Sequence, residues 1–331
     1  MRRYFRTLDE QIKILSDRGL IIEDEENAKT ILLRYNYYKI VNATSKFFTE
    51  KKHNQIIYRK NTNFGDLIDV HNFDKEIKKN LLTSMIEIER IARSIISYLF
   101  VQKYPEEYAY LDAKNYNNEN KVLILSNIDN IKESLKRYQQ EENFNRSIQY
   151  YVEKYKSVPF WFVVNFISFG KLVNIYETLD YKLKEDIADE FQLFLEENLG
   201  RKIEGYLTPK HLLSFLNNAK EIRNISAHDN LIIDYKFSDI EYFEPIHSIY
   251  NIEEDEKRES LFDGIMILKA LLPKKEYEIL ENQIFKEIEK LRQNVDSIAF
   301  NKIIKSIGLD KYIGGDLWDF CIYLICISVK E

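Results

Sequence analysis

An arginine and a histidine in the segment Ala219–Asn230, AKEIRNISAHDN, are the residues of this 331-residue chain best suited to catalysis. Arg223 is followed by four residues and then by His228. An imidazole can move a proton near neutral pH, and a guanidinium can donate two hydrogen bonds to a phosphoryl group that gains charge. RNA supplies its own nucleophile, the 2′-hydroxyl, so the pair indicates RNA cleavage without a metal. Taken alone the pattern is weak, because a surface arginine and a helix-terminal histidine also produce it.

The helix that these residues are predicted to share does not by itself make a compact site. Five residues at about 100° each place Arg223 and His228 about 140° apart on the helix. Asn224 and His228, which are four residues apart, share one face. Two arrangements remain open: either the helix end is irregular near Asp229–Asn230, or two copies of the helix face each other in a two-fold homodimer.

Other motifs with a defined chemistry are missing from the sequence. It contains no GxxxxGK(S/T) or GxGxxG loop for phosphate binding, no HExxH and no paired-cysteine zinc pattern. The two cysteines, Cys321 and Cys326, cannot make a disulfide framework. We therefore expect no cofactor and no metal ion.

The composition favours an all-α, soluble protein in the cytoplasm. Only 9 residues are glycine and 5 are proline, fewer than a turn-rich sandwich, barrel or Rossmann fold would need. The charged fraction of 31% and the hydrophobic fraction of 45% argue against disorder and against a membrane protein. The apolar run Leu317–Val329 is too short to cross a bilayer, which needs about 20 residues, and is predicted to be a buried terminal element.

The spacing of apolar residues divides the chain into three predicted regions. They are a basic N-terminal helical region (1–64), a central helical domain (65–235) and a C-terminal helical extension (236–331). Residues 50–64 are expected to be a loop and 104–120 a connection. Helices are predicted at about 8–20, 23–40, 66–101, 121–156, 160–178, 182–198, 209–228, 258–271 and 274–293.

The N-terminal region has a positive charge although the whole chain has a net charge of −6. Residues 1–60 contain 13 Lys or Arg and 8 Asp or Glu, a net of +5. Such a face could bind RNA phosphates, and neighbouring tyrosines could stack on bases. The alternatives are ordinary variation in surface charge and aromatic side chains that belong to the core. The candidate RNA-binding residues are Arg3, Arg6, Arg34, Tyr37, Tyr38 and Lys39.

Five segments in order resemble the Abi (abortive infection) family of bacterial phage-defence proteins, of the AbiD/AbiF type. They are DEQIKILSDRGL (Asp9–Leu20), LLRYNYYKI (Leu32–Ile40), HNFDKEIKKNLLTSMIEIERIAR (His71–Arg93), VPFWFVVNFISFGKLVNIY (Val158–Tyr176) and EIRNISAHDNLI (Glu221–Ile232).

This resemblance implies a HEPN-like helical bundle in the central domain, with additional N- and C-terminal helices. The HEPN signature, Arg-polar-x3-His, is matched by Arg223, Asn224 and His228. It implies a metal-independent endoribonuclease that acts as a homodimer. Attack by the 2′-hydroxyl of the RNA would then leave 2′,3′-cyclic phosphate and 5′-hydroxyl ends. The resemblance also implies a toxin held in check by a small structured RNA. A catalytically silent RNA-binding scaffold and a phage-sensing protein-interaction module remain alternatives.

Two positions depart from the family pattern. Asp229 stands where members often have a second histidine, and Asn165 stands where a glutamate is common. On the long helix, Glu89 and Arg93 are four residues apart, a spacing typical of an intrahelical salt bridge on a solvated face. A second interpretation is that Glu89 or Arg93 orients the Arg/His motif across the bundle.

Overall fold

The computed structural model of the chain describes residues 5–53, 55–117, 119–140, 146–155, 157–228 and 230–311. It confirms the predicted all-α fold, since it is 70% helical and its described residues contain one small two-stranded sheet. The α-helices of these residues are α1 (Leu8–Asp17), α2 (Glu25–Tyr35), α3 (Phe64–Lys103), α4 (Lys121–Gln140), α5 (Arg146–Tyr155), α6 (Phe160–Val163), α7 (Phe169–Thr178), α8 (Tyr181–Leu199), α9 (Pro209–Ala227), α10 (Glu244–His247), α11 (Leu261–Met266), α12 (Lys274–Asn294) and α13 (Ser297–Ser306).

Two short helices and a turn begin the described chain. Thr7 and Glu10 form the predicted capping box of α1, and Gly19 follows this helix with a φ of +89°. The expectation that the second helix continues to residue 40 is wrong. Asn36 ends α2 because it adopts the left-handed region at φ 69°, and a π-helical turn, Tyr38–Asn42, follows it.

A β-hairpin occupies most of the segment that was predicted to be a loop. β1 (Thr49–Lys52) and β2 (Gln55–Tyr58) pair antiparallel. Only Tyr58 of the eight strand residues is buried. The strands therefore lack the alternation of buried apolar and exposed polar residues that predicts a β-strand. A residue outside the hairpin holds it in place: the Tyr58 backbone nitrogen donates to the carbonyl of Arg18, which follows α1, at 2.9 Å.

The central element of the fold is α3, which confirms the long predicted helix. Its N-cap Asn63 forms a capping box with Asp66, and its 40 residues span about 60 Å. The helices α6, α7, α8, α9 and α12 all pack against it. Buried apolar side chains recur along it at helical spacing: Leu67, Val70, Phe73, Ile77, Leu81, Met85, Ile88, Ala92, Ile96 and Phe100.

The helix predicted over 160–178 is divided in two. A 3-10 turn follows α6, and then Ile167 and Ser168 adopt extended backbone before α7 begins at Phe169. The break leaves the Ile167 carbonyl outside a helical ladder, and Arg93 Nη2 of α3 donates to it at 2.6 Å. A side chain far away in sequence thus stabilises an interruption that apolar spacing does not reveal.

Residues 236–311 pack back onto the preceding helices. α12 lies along α3, α11 contacts α9, and the buried residues of all described regions join one hydrophobic cluster. α13 was not predicted. The domain boundaries at 64/65 and 235/236 stay predictions, and the apolar run Leu317–Val329 lies outside the described residues. Within the described parts of the chain, no helix combines the length and apolar character needed to cross a bilayer.

Candidate functional site

The helix that carries the candidate catalytic residues is α9, and most of its surface is buried. Thr208 caps it and Pro209 occupies its first turn, both of which favour helix initiation. It packs against α3, α7, α8 and α11. The side chains that it buries are mostly apolar: Leu212, Phe215, Leu216, Ala219, Ile222 and Ile225.

The end of α9 presents the three motif residues to solvent. Arg223 is half-buried, whereas Asn224 and His228 are exposed. Ile222 and Ile225 face the core, so the helical periodicity directs Arg223 and Asn224, which lie between them, towards solvent. A polyanion could therefore reach this face without any rearrangement of the core.

His228 has left the helix. It is the C-cap of α9, with φ −113° and ψ 168°, and its backbone nitrogen donates to the Ile225 carbonyl at 3.3 Å. An irregular helix end is therefore present, one of the two arrangements that the motif spacing left open. The angle of about 140° between Arg223 and His228 holds only if both residues are helical. It does not apply here, because His228 has extended backbone.

Two charged residues of α3 hold the backbone that follows the motif. Asp74 Oδ1 accepts hydrogen bonds from the backbone nitrogens of Ile232 at 2.7 Å and Ile233 at 3.2 Å. Lys78 Nζ donates to the carbonyls of His228 at 3.2 Å and Asn230 at 2.9 Å. The chain around His228 is thus fixed to the central helix from both sides of residue 229.

Asp74 and Lys78 also interact with each other. Asp74 is 3% exposed, and burial raises the pKa of its carboxyl although Lys78 Nζ lies 3.4 Å away. Sequence reasoning missed this pair, although it lies inside the segment His71–Arg93. The sequence did contain a signal for it. Asp74 lies between Phe73 and Ile77 on the apolar face of a predicted helix, where a carboxylate is rarely found without a partner.

Glu89 and Arg93 form the predicted intrahelical ion pair, with Arg93 Nη2 2.5 Å from Glu89 Oε1. The expectation that this pair lies on a solvated face is wrong, because the two side chains are only 14% and 21% exposed. The other hydrogen bond of Arg93 goes to Ile167 between α6 and α7. Its buried Nε has no partner among the described residues. These contacts join α3 to the α6–α7 connection. That Glu89 or Arg93 orients the motif stays a prediction.

The candidate RNA-binding residues near the N-terminus differ in their surroundings. Arg6, Arg34 and Tyr38 are exposed, whereas Lys39 is half-buried. Tyr37 packs against the core, and this burial raises the pKa of its hydroxyl. Of the two tyrosines, Tyr38 is therefore the one available to a base. Arg3 lies outside the described residues.

Metal-ligating side chains are not grouped in the part of the chain that the structure describes. No three His, Cys, Asp or Glu residues there lie close enough to hold an ion together. What α9 offers is instead a guanidinium, an amide and an imidazole at one exposed end of a buried helix. That set can bind an anion and transfer a proton.

The fold and this face define a helical protein with an exposed Arg-Asn-x3-His motif. The model of the family described as Abi-like protein matches residues 30–234, which is more than half of the chain and includes the motif. The chain therefore belongs to the Abi-like protein family, as its sequence predicted. Membership of this family suggests a role in abortive infection, a defence against phage. No curated protein and no solved structure gave a match.

Proposed function

We propose that the protein is a metal-independent endoribonuclease of the HEPN type that acts as a toxin in abortive infection. The observation that carries the proposal is the exposed end of α9, where Arg223, Asn224 and His228 meet solvent. Asp74 and Lys78 hold the backbone beside that end. A rigid support of this kind is useful for catalysis, because small displacements of a reacting group slow a reaction strongly.

The proposed reaction is a transfer within the RNA strand. His228 accepts the proton of the 2′-hydroxyl, whose oxygen attacks the adjacent phosphorus. Arg223 donates hydrogen bonds to the phosphoryl oxygens as their charge grows, and Asn224 holds the phosphate or the imidazole. The bond to the 5′-oxygen breaks, and this oxygen takes up a proton. The products are a 2′,3′-cyclic phosphate and a 5′-hydroxyl.

A homodimer follows naturally from this mechanism. The leaving oxygen needs an acid while the 2′-hydroxyl needs a base, and the motif of one chain contains a single histidine. A second copy of the α9 end, placed across a two-fold axis, brings a second imidazole and a second guanidinium. The exposure of His228 leaves it accessible to such a copy.

We further propose that a small structured RNA controls the toxin by binding the basic N-terminal face. Arg6, Arg34 and Tyr38 are exposed there, so that phosphates and an unstacked base could reach them. A catalytically silent RNA-binding scaffold would use the same face. A phage-sensing interaction module would need neither the basic face nor the motif.

Expression without any inhibitor tests the enzyme proposal. The wild-type chain should stop growth and fragment cellular RNA. Arg223→Ala and His228→Ala should each abolish both effects while remaining folded. The matched control is His53→Ala, which removes another exposed histidine and should leave the toxin active. Intact RNA decay in both folded motif variants would reject the nuclease.

Co-expression of the wild-type chain with His228→Ala tests the composite site. A mixed dimer has a single imidazole at the shared site, so it lacks either the base or the acid and should be inactive. With equal expression and random pairing, about a quarter of the dimers carry two wild-type copies, so the activity should fall to that fraction of the wild-type value at the same total concentration. Retention of about half of the activity, with mixed dimers present, would place a complete site on each chain.

A further inference from the structure

A groove of about 850 Å³ lies between α3 and the segment that carries α6. Arg90, Arg93 and Tyr98 line its α3 wall, and Trp161 and Asn165 line the opposite wall. The volume falls within the range of small-molecule and nucleotide sites. None of these residues belongs to the Arg-Asn-x3-His motif, so the proposed catalysis does not explain the groove.

Two large aromatic rings are exposed in the groove, one on each wall. Tyr98 is 67% exposed and Trp161 is 52% exposed. Exposed rings of this size on facing elements offer flat surfaces to another flat, polarisable group. A nucleobase is such a group, and every base has a face that can stack on tyrosine or tryptophan.

The charged side chains that line the groove are both arginines. Arg93 is committed to Glu89 and the Ile167 carbonyl, and so it supports the wall. The side chain of Arg90 is 73% exposed and pairs with Glu87 on the same helix. An exposed pair of this kind is weak, so an anion in the groove can compete with Glu87 for the guanidinium.

The groove and the motif lie beside the same helix, α3, at different points along it. Lys78, which donates to the His228 carbonyl, precedes Arg90 by 12 residues and Tyr98 by 20 residues, or about 18 and 30 Å of helix. A strand that occupies both the groove and the motif must therefore place several nucleotides between them.

We propose that this groove binds an unpaired nucleotide of single-stranded RNA several nucleotides away from the scissile bond. The base stacks on Tyr98 and Trp161, and Arg90 contacts its phosphate. The side chains of Ser94 and Asn165 can hydrogen-bond to base edges. The inference rests on the proposed function in one respect: the RNA strand that binds in the groove is the strand that the motif cleaves.

The test uses an RNA probe that cannot be cleaved. A 2′-O-methylated pentanucleotide of mixed sequence is titrated into the full-length protein carrying Trp318→Phe, which leaves Trp161 as the remaining tryptophan. Stacking should quench the fluorescence emission of Trp161. The Kd obtained from this quenching should equal the Kd obtained from the anisotropy of the probe. Adenosine monophosphate is titrated in a second experiment. If the groove is a site for free nucleotides, adenosine monophosphate should quench the Trp161 emission as strongly as the pentanucleotide does.

Variants of the groove are compared with matched controls elsewhere. Tyr98→Ala, Trp161→Ala and Arg90→Gln should each raise the Kd for the probe about tenfold. Trp161→Phe, which keeps a ring, should retain most of the affinity. Tyr181→Ala, another exposed tyrosine, and Arg292→Gln, another arginine paired with a glutamate three residues before it, should leave the Kd unchanged.

The outcomes separate this inference from the proposed nuclease. Binding that depends on the groove, in a wild-type protein that cleaves no RNA, supports the groove and rejects the nuclease. Cleavage that survives all groove variants, with unquenched Trp161 and an unchanged Kd, overturns the groove and leaves the nuclease standing. Quenching by adenosine monophosphate with no binding of the pentanucleotide also overturns it, in favour of a free nucleotide.

Discussion

The carboxylate of Asp74 lies 2.7 Å from the backbone nitrogen of Ile232, 158 residues further along the chain. This bond fixes the segment after the Arg-Asn-x3-His motif to the central helix α3. Lys78, one turn later on α3, donates to the carbonyls of His228 and Asn230. The position of the candidate catalytic histidine therefore depends on two residues that take no part in the proposed chemistry.

Replacement of Asp74 tests how strongly this attachment stabilises the fold. Asp74→Ala leaves the backbone N–H groups of Ile232 and Ile233 without their acceptor, and buried unsatisfied donors are costly. We expect the free energy of unfolding to fall by about 2 kcal/mol or more. Urea denaturation measures this change. The control Asp189→Ala, at an exposed helical position, should shift it by about 0.5 kcal/mol or less.

Lys78 provides a test of positioning. Lys78→Met removes the ammonium that holds the two carbonyls but keeps the aliphatic stem, so we expect kcat for RNA cleavage to fall about tenfold. The KM should change little, because Lys78 is not placed in the binding face. Lys79→Met is the matched control, since Lys79 is exposed and pairs with Glu76 alone among the described contacts. Equal kcat values for the two variants would contradict the positioning role.

Three buried or half-buried histidines predict how stability depends on pH. Burial lowers the pKa of His71, His211 and His247 below the ordinary value of 6.5. Each binds more protons in the unfolded than in the folded protein, so its stabilising contribution is complete above about pH 6.5. That contribution is lost as the pH falls through the lowered pKa.

The histidine contribution to the free energy of unfolding should therefore decrease as the pH falls below about 6.5. Denaturation at several pH values measures the slope. His247→Gln should make the slope shallower, because His247 is fully buried, whereas the exposed His53→Gln should not change it. A slope that is the same in both variants would show that His247 does not contribute.

The basic N-terminal face predicts a salt-dependent affinity for structured RNA. Replacing Arg6, Arg34 and Lys39 together with glutamine should weaken binding and reduce the slope of log K against log salt by about 2 to 3. Filter binding over a range of salt concentrations measures both effects. The control replaces three exposed lysines on other surfaces: Lys182, Lys210 and Lys257. Equal losses in both triple variants would place the RNA elsewhere.

The sequence alone predicts the helices, but it does not predict the contacts between residues far apart in the chain that hold them in place. α3 and α9 were predictable because apolar residues recur along them at helical spacing. The hairpin was not, since Tyr58 is the only buried residue of its two strands and the strands show no alternation. The motif at 223–228 is a local pattern and could be recognised. Asp74 and Lys78 resemble an ordinary helical ion pair until the fold brings the backbone of residues 228, 230, 232 and 233 beside them.

Cleavage of RNA by the purified protein in excess chelator is the most direct test of the central proposal. The proposed 2′-hydroxyl attack needs only the imidazole of His228 and the guanidinium of Arg223. Cleavage should persist in chelator, leave 2′,3′-cyclic phosphate and 5′-hydroxyl ends, and fail on DNA and on RNA that is 2′-O-methylated at the cut site. Loss of cleavage in chelator, with recovery in magnesium or manganese, would contradict the mechanism.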